Sequence, residues 1–192
     1  MIDPVLLLAP TSRRRGVYIG PAPSDPADID ILKRLGVTAR ISLLSEEEEE
    51  HLYATLGAGL DHFELRCYPI LDFGVPKIRD LAMFLMSYIF SPYDREEAYS
   101  RGMPSSEHIY LHCRGGMGRT GVMAGALLIA SGMSVDRALA KLYELRGPHC
   151  PETIEQRAFL ERNESHIRWL ANGFNFNGSS YEEGVVVVNV PA

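Results

Sequence analysis

Cysteine is scarce in this chain, and its spacing excludes as much as its number does. Cys67, Cys113 and Cys150 make an odd count with no C-x-x-C pair, which disfavours both a disulfide framework and a zinc site. A reducing cytoplasm is the expected compartment. Basic charge is also short: 19 Lys and Arg stand against 25 Asp and Glu, a net charge of −6. Nucleic-acid binders usually carry a basic face to neutralise phosphates, so nucleic acid is not an expected partner and any basic site must be local. No apolar run approaches the ~20 residues of a bilayer span. The N-terminal stretch Val5 to Ala9 follows Asp3 and is broken by Pro10, without the basic start of an export signal. The chain is expected to be soluble, neither exported nor inserted in a membrane.

What is present suffices for one good core. Of the 192 residues 46% are hydrophobic, which suits a single domain better than two. Residues 1–173 read as that domain and 174–192 as a C-terminal tail. GVYIG (16–20) reads as a strand, followed by a turn-rich PAPSDP and a helix from Ala27 to Leu35 that Gly36 stops. VTARISLL (37–44) is a buried strand. Ser45 with Glu48 forms a capping box, and the acidic run Glu46 to Glu50 reads as a solvated helix start on the positive end of the helix dipole. His62 to Ile70 is the next strand, Lys77 to Phe90 an apolar helix, and HIYLHC (108–113) another strand. A helix follows in RTGVMAGALLIA, apolar on nearly every side and therefore expected at the centre of the domain. Ser134 to Arg146 and Glu152 to Leu170 read as two more helices. Strands alternating with helices predict an α/β fold whose largely parallel sheet is flanked by helices. Ligands of such sheets bind beyond the carboxyl ends of the strands, the edge where the loop after Cys113 lies.

Two segments fit the core poorly. Ser91 to Glu107 is a long polar connection that enters the Cys113 strand from the end away from the chemistry. The tail contains Val185 to Val188, an aggregation-prone strand if left exposed. It is expected to pair with a sheet edge or with another chain, which makes a homo-oligomer one reading.

The chemistry concentrates in HCRGGMGRT (112–120). A phosphate ester dianion repels nucleophiles, so attacking it takes a thiolate, many hydrogen-bond donors and a fixed cation in one small space. Cys113 stands at a strand end, and the backbone N–H groups from Arg114 to Arg119 can curl round a tetrahedral anion if Gly115, Gly116 and Gly118 allow unusual dihedrals around Met117. The helix starting near Arg119 turns its positive end to the same spot, favouring bound phosphate and a deprotonated Cys113. Arg119 offers a planar fork to two phosphoryl oxygens, a geometry lysine lacks. Thr120 is positioned to donate its hydroxyl to the Cys113 sulfur, and His112 to hold the loop through side-chain hydrogen bonds. Arg114 adds positive potential at the rim.

The H-C-x5-R-T motif between a β-rich run and an apolar helix resembles the signature of the protein tyrosine phosphatase superfamily. From Gly16 to about Trp169 the layout is similar to the compact dual-specificity branch, and kinase-associated phosphatases look especially close. The resemblance implies a cysteine-phosphatase fold with Cys113 as nucleophile, Arg119 as phosphate clamp and no metal or other cofactor. It also implies a general acid on a separate loop, where the family's P-x-x-D-x-x-x-P pattern is met by Pro69 to Pro76 and the acid by Asp72. Asp72 leaves a strand at the sheet edge that also carries the Cys113 loop, and Gly74 gives its loop mobility. In PETIEQR (151–157) the resemblance places Gln156 near the hydrolytic water. Cys67 or Cys150 could form a disulfide with an oxidised Cys113, though a core or loop cysteine is the plainer reading of each.

The expected activity is hydrolysis of phosphate monoesters on phosphotyrosine, phosphoserine or phosphothreonine proteins or small esters, through a phosphocysteine intermediate. A phosphoinositide or inositol phosphate phosphatase is the alternative, lowered by Met117 where such enzymes often carry lysine. A catalytically weak phosphate-binding module and a rhodanese-like sulfurtransferase fit less well, since nucleophile, clamp and acid candidate are all present.

Overall fold

The computed structural model describes residues 1–10, 15–89 and 108–173. Among them five strands, β1 (Val5–Leu8), β2 (Gly16–Pro21), β3 (Val37–Ser42), β4 (Glu64–Cys67) and β5 (His108–Cys113), form one sheet in the order β1-β2-β5-β3-β4. β2, β5, β3 and β4 run parallel, and β1 lies antiparallel to β2 at the edge. The parallel core matches expectation, but β1 does not appear in the sequence reading. Its four residues show no alternation of apolar and polar side chains, and only pairing with β2 makes them a strand.

Among the described residues six α-helices flank the sheet: α1 (Pro26–Arg34), α2 (Glu46–Leu56), α3 (Ile78–Ile89), α4 (Gly118–Ala130), α5 (Val135–Arg146) and α6 (Ile154–Gly173). Alternation along β5 separates two cores, because successive side chains of a strand point to opposite faces. Ile109, Leu111 and Cys113 join the larger core with residues of α3 to α6, while Tyr110 joins a smaller one with Ile29 and Leu32 of α1 and Leu52 of α2. α4 is the central helix: every residue from Gly118 to Ile129 is buried. Each of its large aliphatic side chains contributes about 1.5–3 kcal/mol by leaving water. Close packing explains its glycines, since a Cβ at Gly121 would stand 2.8 Å from Cys150 Sγ and 2.9 Å from Pro151 Cα.

Several boundaries move by up to three residues. The strand read as 37–44 ends at Ser42, and the one read as 62–70 narrows to Glu64–Cys67 because a 3-10 turn occupies Gly57–His62. The helix read from Glu152 starts at Ile154. The 91–107 connection and the tail from Phe174 lie outside the described residues. At the carboxyl edge Cys113 pairs with Pro21 of β2, and His112 with Ser42 of β3, so the loop after β5 opens between two parallel neighbours.

Candidate active site

The loop from Arg114 to Met117 is fastened at both flanks before it turns into α4. Ala22 N donates to Arg114 O at 3.1 Å, and Leu43 N to His112 O at 2.9 Å. Gly116 adopts φ 70°, and a Cβ there would fall 2.3 Å from the Gly20 carbonyl carbon. Both its dihedral and its space demand glycine. Gly115 meets neither demand, having nothing within 4 Å and no positive φ. Gly118 also lacks a positive φ, but the Gln156 amide and the Glu152 carboxylate crowd it at 3.0 Å. The expectation that all three glycines supply unusual dihedrals therefore narrows to Gly116.

Cys113 is 3% exposed at the bottom of this loop, and Gly116 N donates to its sulfur at 3.3 Å. Met117 occupies the N-cap of α4 without offering a side-chain acceptor. The first-turn N–H groups, which have no partner within the helix, are thus left for an anion.

Arg119 is buried, with its guanidinium held on several sides. Nη1 donates to Glu48 Oε2 at 2.7 Å and to Ile70 O at 3.2 Å, and Nη2 donates to Glu48 Oε1 at 3.1 Å. Asp72 Oδ1 stands 3.2 Å from Nη2. Burial works against the charge of Arg119, but the Glu48 hydrogen bonds, with Cys113 and Asp72 nearby, raise its pKa above the ordinary value. The Arg119 hydrogen bonds in turn hold the Glu48 carboxyl down at about 2. Arg114, 71% exposed, also reaches Glu48 Oε1 at 3.0 Å.

Glu48 is the residue that sequence reasoning placed wrongly. Its capping box with Ser45 is present as expected, Ser45 N donating to Oε2 at 2.9 Å and Glu48 N to Ser45 Oγ at 3.3 Å. The run is nevertheless not simply solvated: Glu48 binds both arginines of the loop, and Glu49 pairs with buried Arg40 of β3. The available signal was position, because an N3 residue right after a strand next to β5 stands at the carboxyl edge of the sheet.

Asp72 sits on the loop from Leu71 to Pro76, half exposed and against Arg119. Gly74 N closes a tight turn onto Leu71 O at 2.8 Å, with Phe73 at φ 59°. Gln156 is not on the surface. It is fully buried, its Nε2 donating to Gly74 O at 3.0 Å while Oε1 accepts from Glu152 N and Thr153 N, both at 3.0 Å.

Two expected hydrogen bonds are not formed. The Thr120 hydroxyl is buried without a partner, so it does not donate to Cys113 in this state. Neither ring nitrogen of His112 has a partner within hydrogen-bond geometry, although the nearby Cys113 backbone opposes part of the effect of burial. Burial, with Arg40 close by, lowers the His112 pKa to about 3, and the ring stacks on Tyr110 at 5.7 Å. His112 supports the loop by packing as a neutral ring. Cys150 donates from Sγ to Met117 O at 3.3 Å, and burial pushes its thiol up to about 12. Cys67 is exposed at the end of β4.

A family model described as "PTP-SAK: Swiss Army Knife protein, DSP-PTPase phosphatase domain" matches residues 17–164. Among solved structures, Tk-PTP in its active form is 27% identical, with a TM-score of 0.55, covering 79% of this chain and 92% of its own. Kinase associated phosphatase is 19% identical, TM-score 0.61, covering 87% and 95%. PTPMT1 in complex with PI(5)P is 19% identical, TM-score 0.59, covering 79% and 91%. No curated protein sequence matches.

Proposed function

Because the chain belongs to the DSP-PTPase phosphatase domain family, whose members hydrolyse phosphate esters, we propose that it dephosphorylates phosphotyrosine, phosphoserine or phosphothreonine in proteins through a phosphocysteine intermediate. The observation that carries this reading is the meeting of three groups from separate elements. Cys113 Sγ lies under the Gly116 N–H at 3.3 Å, the Arg119 guanidinium starts the adjoining helix, and Asp72 stands 3.2 Å from that guanidinium.

The ester dianion enters the N–H cradle with two oxygens on the Nε and Nη2 edge of Arg119, since Nη1 is committed to Glu48 and Ile70. The Cys113 thiolate attacks phosphorus, forming the S–P bond as the ester P–O bond breaks, and Asp72 gives its proton to the departing oxygen. A water then attacks phosphorus while Asp72 takes its proton, the S–P bond breaks, and inorganic phosphate leaves. The partnerless Thr120 hydroxyl is available to the sulfur as it departs. Backbone donors and Arg119 stabilise charge spreading over the equatorial oxygens, and being fixed beforehand they need no reorganisation.

A protein of similar fold binds PI(5)P, which makes inositol lipids the second reading. Protein substrates are favoured by the charge at the loop, where Arg114 and Arg119 both pair with Glu48. Such a cradle suits one phosphate better than several. Cys113→Ser tests the chemistry: turnover of a phosphotyrosyl peptide should vanish while vanadate binding, measured calorimetrically, remains. Retained steady-state turnover would rule out the covalent route.

A further inference from the structure

Gln156 does more than end up buried near the signature loop. Gln156 N donates to Thr153 Oγ1 at 3.1 Å and Thr153 N donates to Gln156 Oε1 at 3.0 Å, a reciprocal capping box at the start of α6. One oxygen of the amide is thereby committed to the helix, also receiving Glu152 N, and the Nε2 group is aimed outward. It donates at 3.0 Å to Gly74 O, two residues beyond Asp72. The amide also stands directly behind the start of α4, within about 3 Å of where a Gly118 Cβ would be. Ser45 and Glu48 repeat the device at α2, where the N3 side chain faces its own cap and also holds Arg119.

We infer that Gln156 is a positioning residue that fixes the reach of the Leu71–Pro76 loop, and hence of Asp72, over the signature loop. It does so through the Nε2 hydrogen bond to Gly74 and does not orient the hydrolytic water. The carboxamide is fully buried, and its oxygen is already occupied by two backbone donors. This inference rests on Asp72 being the general acid.

Glutamate at 156 isolates the proposed bond. Its carboxylate still accepts from Thr153 N and Glu152 N, so the cap survives, but it cannot donate to Gly74 O. The test measures kcat/KM over aryl phosphates of graded leaving-group pKa, with phosphocysteine hydrolysis followed separately by rapid quench. For Gln156→Glu, kcat/KM should fall roughly 10- to 10²-fold with the poorest leaving groups, the scale of a displaced catalytic group. The loss should shrink steadily as the leaving group improves. Asp72→Asn should show the same graded pattern more strongly, and adding Gln156→Glu to it should cost almost nothing further, because both act through one proton transfer. A loss confined to intermediate hydrolysis with kcat/KM intact would mean that Gln156 serves the water, and a uniform loss across leaving groups would mean that it supports the cradle. Either outcome overturns the inference. Asp72→Asn without graded loss removes the acid assignment itself, whereas a graded Asp72→Asn beside an ungraded Gln156→Glu removes only the tether. If the buried carboxylate prevents folding, Gln156→Met, which loses the cap acceptor as well as the donor, carries the leaving-group comparison, because loss of the cap alone would act uniformly across leaving groups while loss of the Gly74 bond would act in a graded way.

Discussion

At the scale of single residues, the Arg119 guanidinium is defined by what surrounds it. Arg119 uses both terminal nitrogens on Glu48 and one also on a backbone carbonyl, so its plane is set before any substrate arrives. A lysine would keep the charge but could not make this set of bonds or present a fork to phosphate. Arg119→Lys should therefore lose about 10²–10³-fold in kcat, nearly as much as Arg119→Ala. Parallel steady-state assays with a phosphotyrosyl peptide check this, and a lysine variant of near-normal kcat would show that the fork is not needed. Arg119 and Cys113 were legible in the sequence because a spacing of five residues on a glycine-rich turn has few other uses. Glu48 was not, since an acidic residue in a first helical turn has an ordinary explanation that needs no contact with anything distant.

At the scale of elements, one glycine shapes the cradle. The Gly116 dihedral and the 2.3 Å approach to Gly20 leave no room for a side chain, whereas Gly115 faces open space. Gly116→Ala should abolish phosphate binding and lower stability by about 2 kcal/mol or more, while Gly115→Ala should stay within about 0.5 kcal/mol in stability. Thermal unfolding and calorimetric phosphate titration of the pair decide it. Equal tolerance of both substitutions would mean that the loop does not need its left-handed turn. The helices themselves were readable from caps and periodicity: Ser45 and Ser134 mark starts that the structure reproduces. β1 was unreadable for the opposite reason, because an edge strand of four residues exists only by virtue of its partner.

At the scale of the whole molecule, two groups at the site link folding to acidity in the same direction. The Glu48 carboxyl is held at about 2 in the fold against an ordinary 4.5, so its contribution is complete above 4.5 and is lost as pH falls toward 2. His112 is neutral in the fold, its pKa about 3 against 6.5 when exposed. Unfolding lets it take a proton between those values, which destabilises the fold as pH drops through that window. Stability should accordingly decline from about pH 6.5 and steepen below 4.5. Glu48→Gln should be less stable than the parent at pH 7 by about 3 kcal/mol, with the gap closing between pH 4.5 and 2. Denaturant titrations at stepped pH measure it, and a gap that persists at pH 2 would show that Glu48 acts by shape and not by charge. None of the described helices is long and apolar enough to cross a membrane.

The sequence by itself determined the parallel α/β architecture, the buried central helix and the loop that carries Cys113 and Arg119, because each follows from local periodicity or from residues within a single nine-residue loop. A family pattern also singled out Asp72 and Gln156, which the structure sets against Arg119 and the Gly74 carbonyl. What tertiary structure alone decided is how these residues hold one another. Glu48, Asp72 and Gln156 come from three elements far apart in the chain, and their partners are the Arg119 guanidinium and the carbonyl of Gly74. Such contacts depend on sheet order and helix placement, quantities that no local window contains. The same is true of the bonds that fail to form: Thr120 and His112 carry groups able to hydrogen-bond, and only the packing around them leaves those groups without partners.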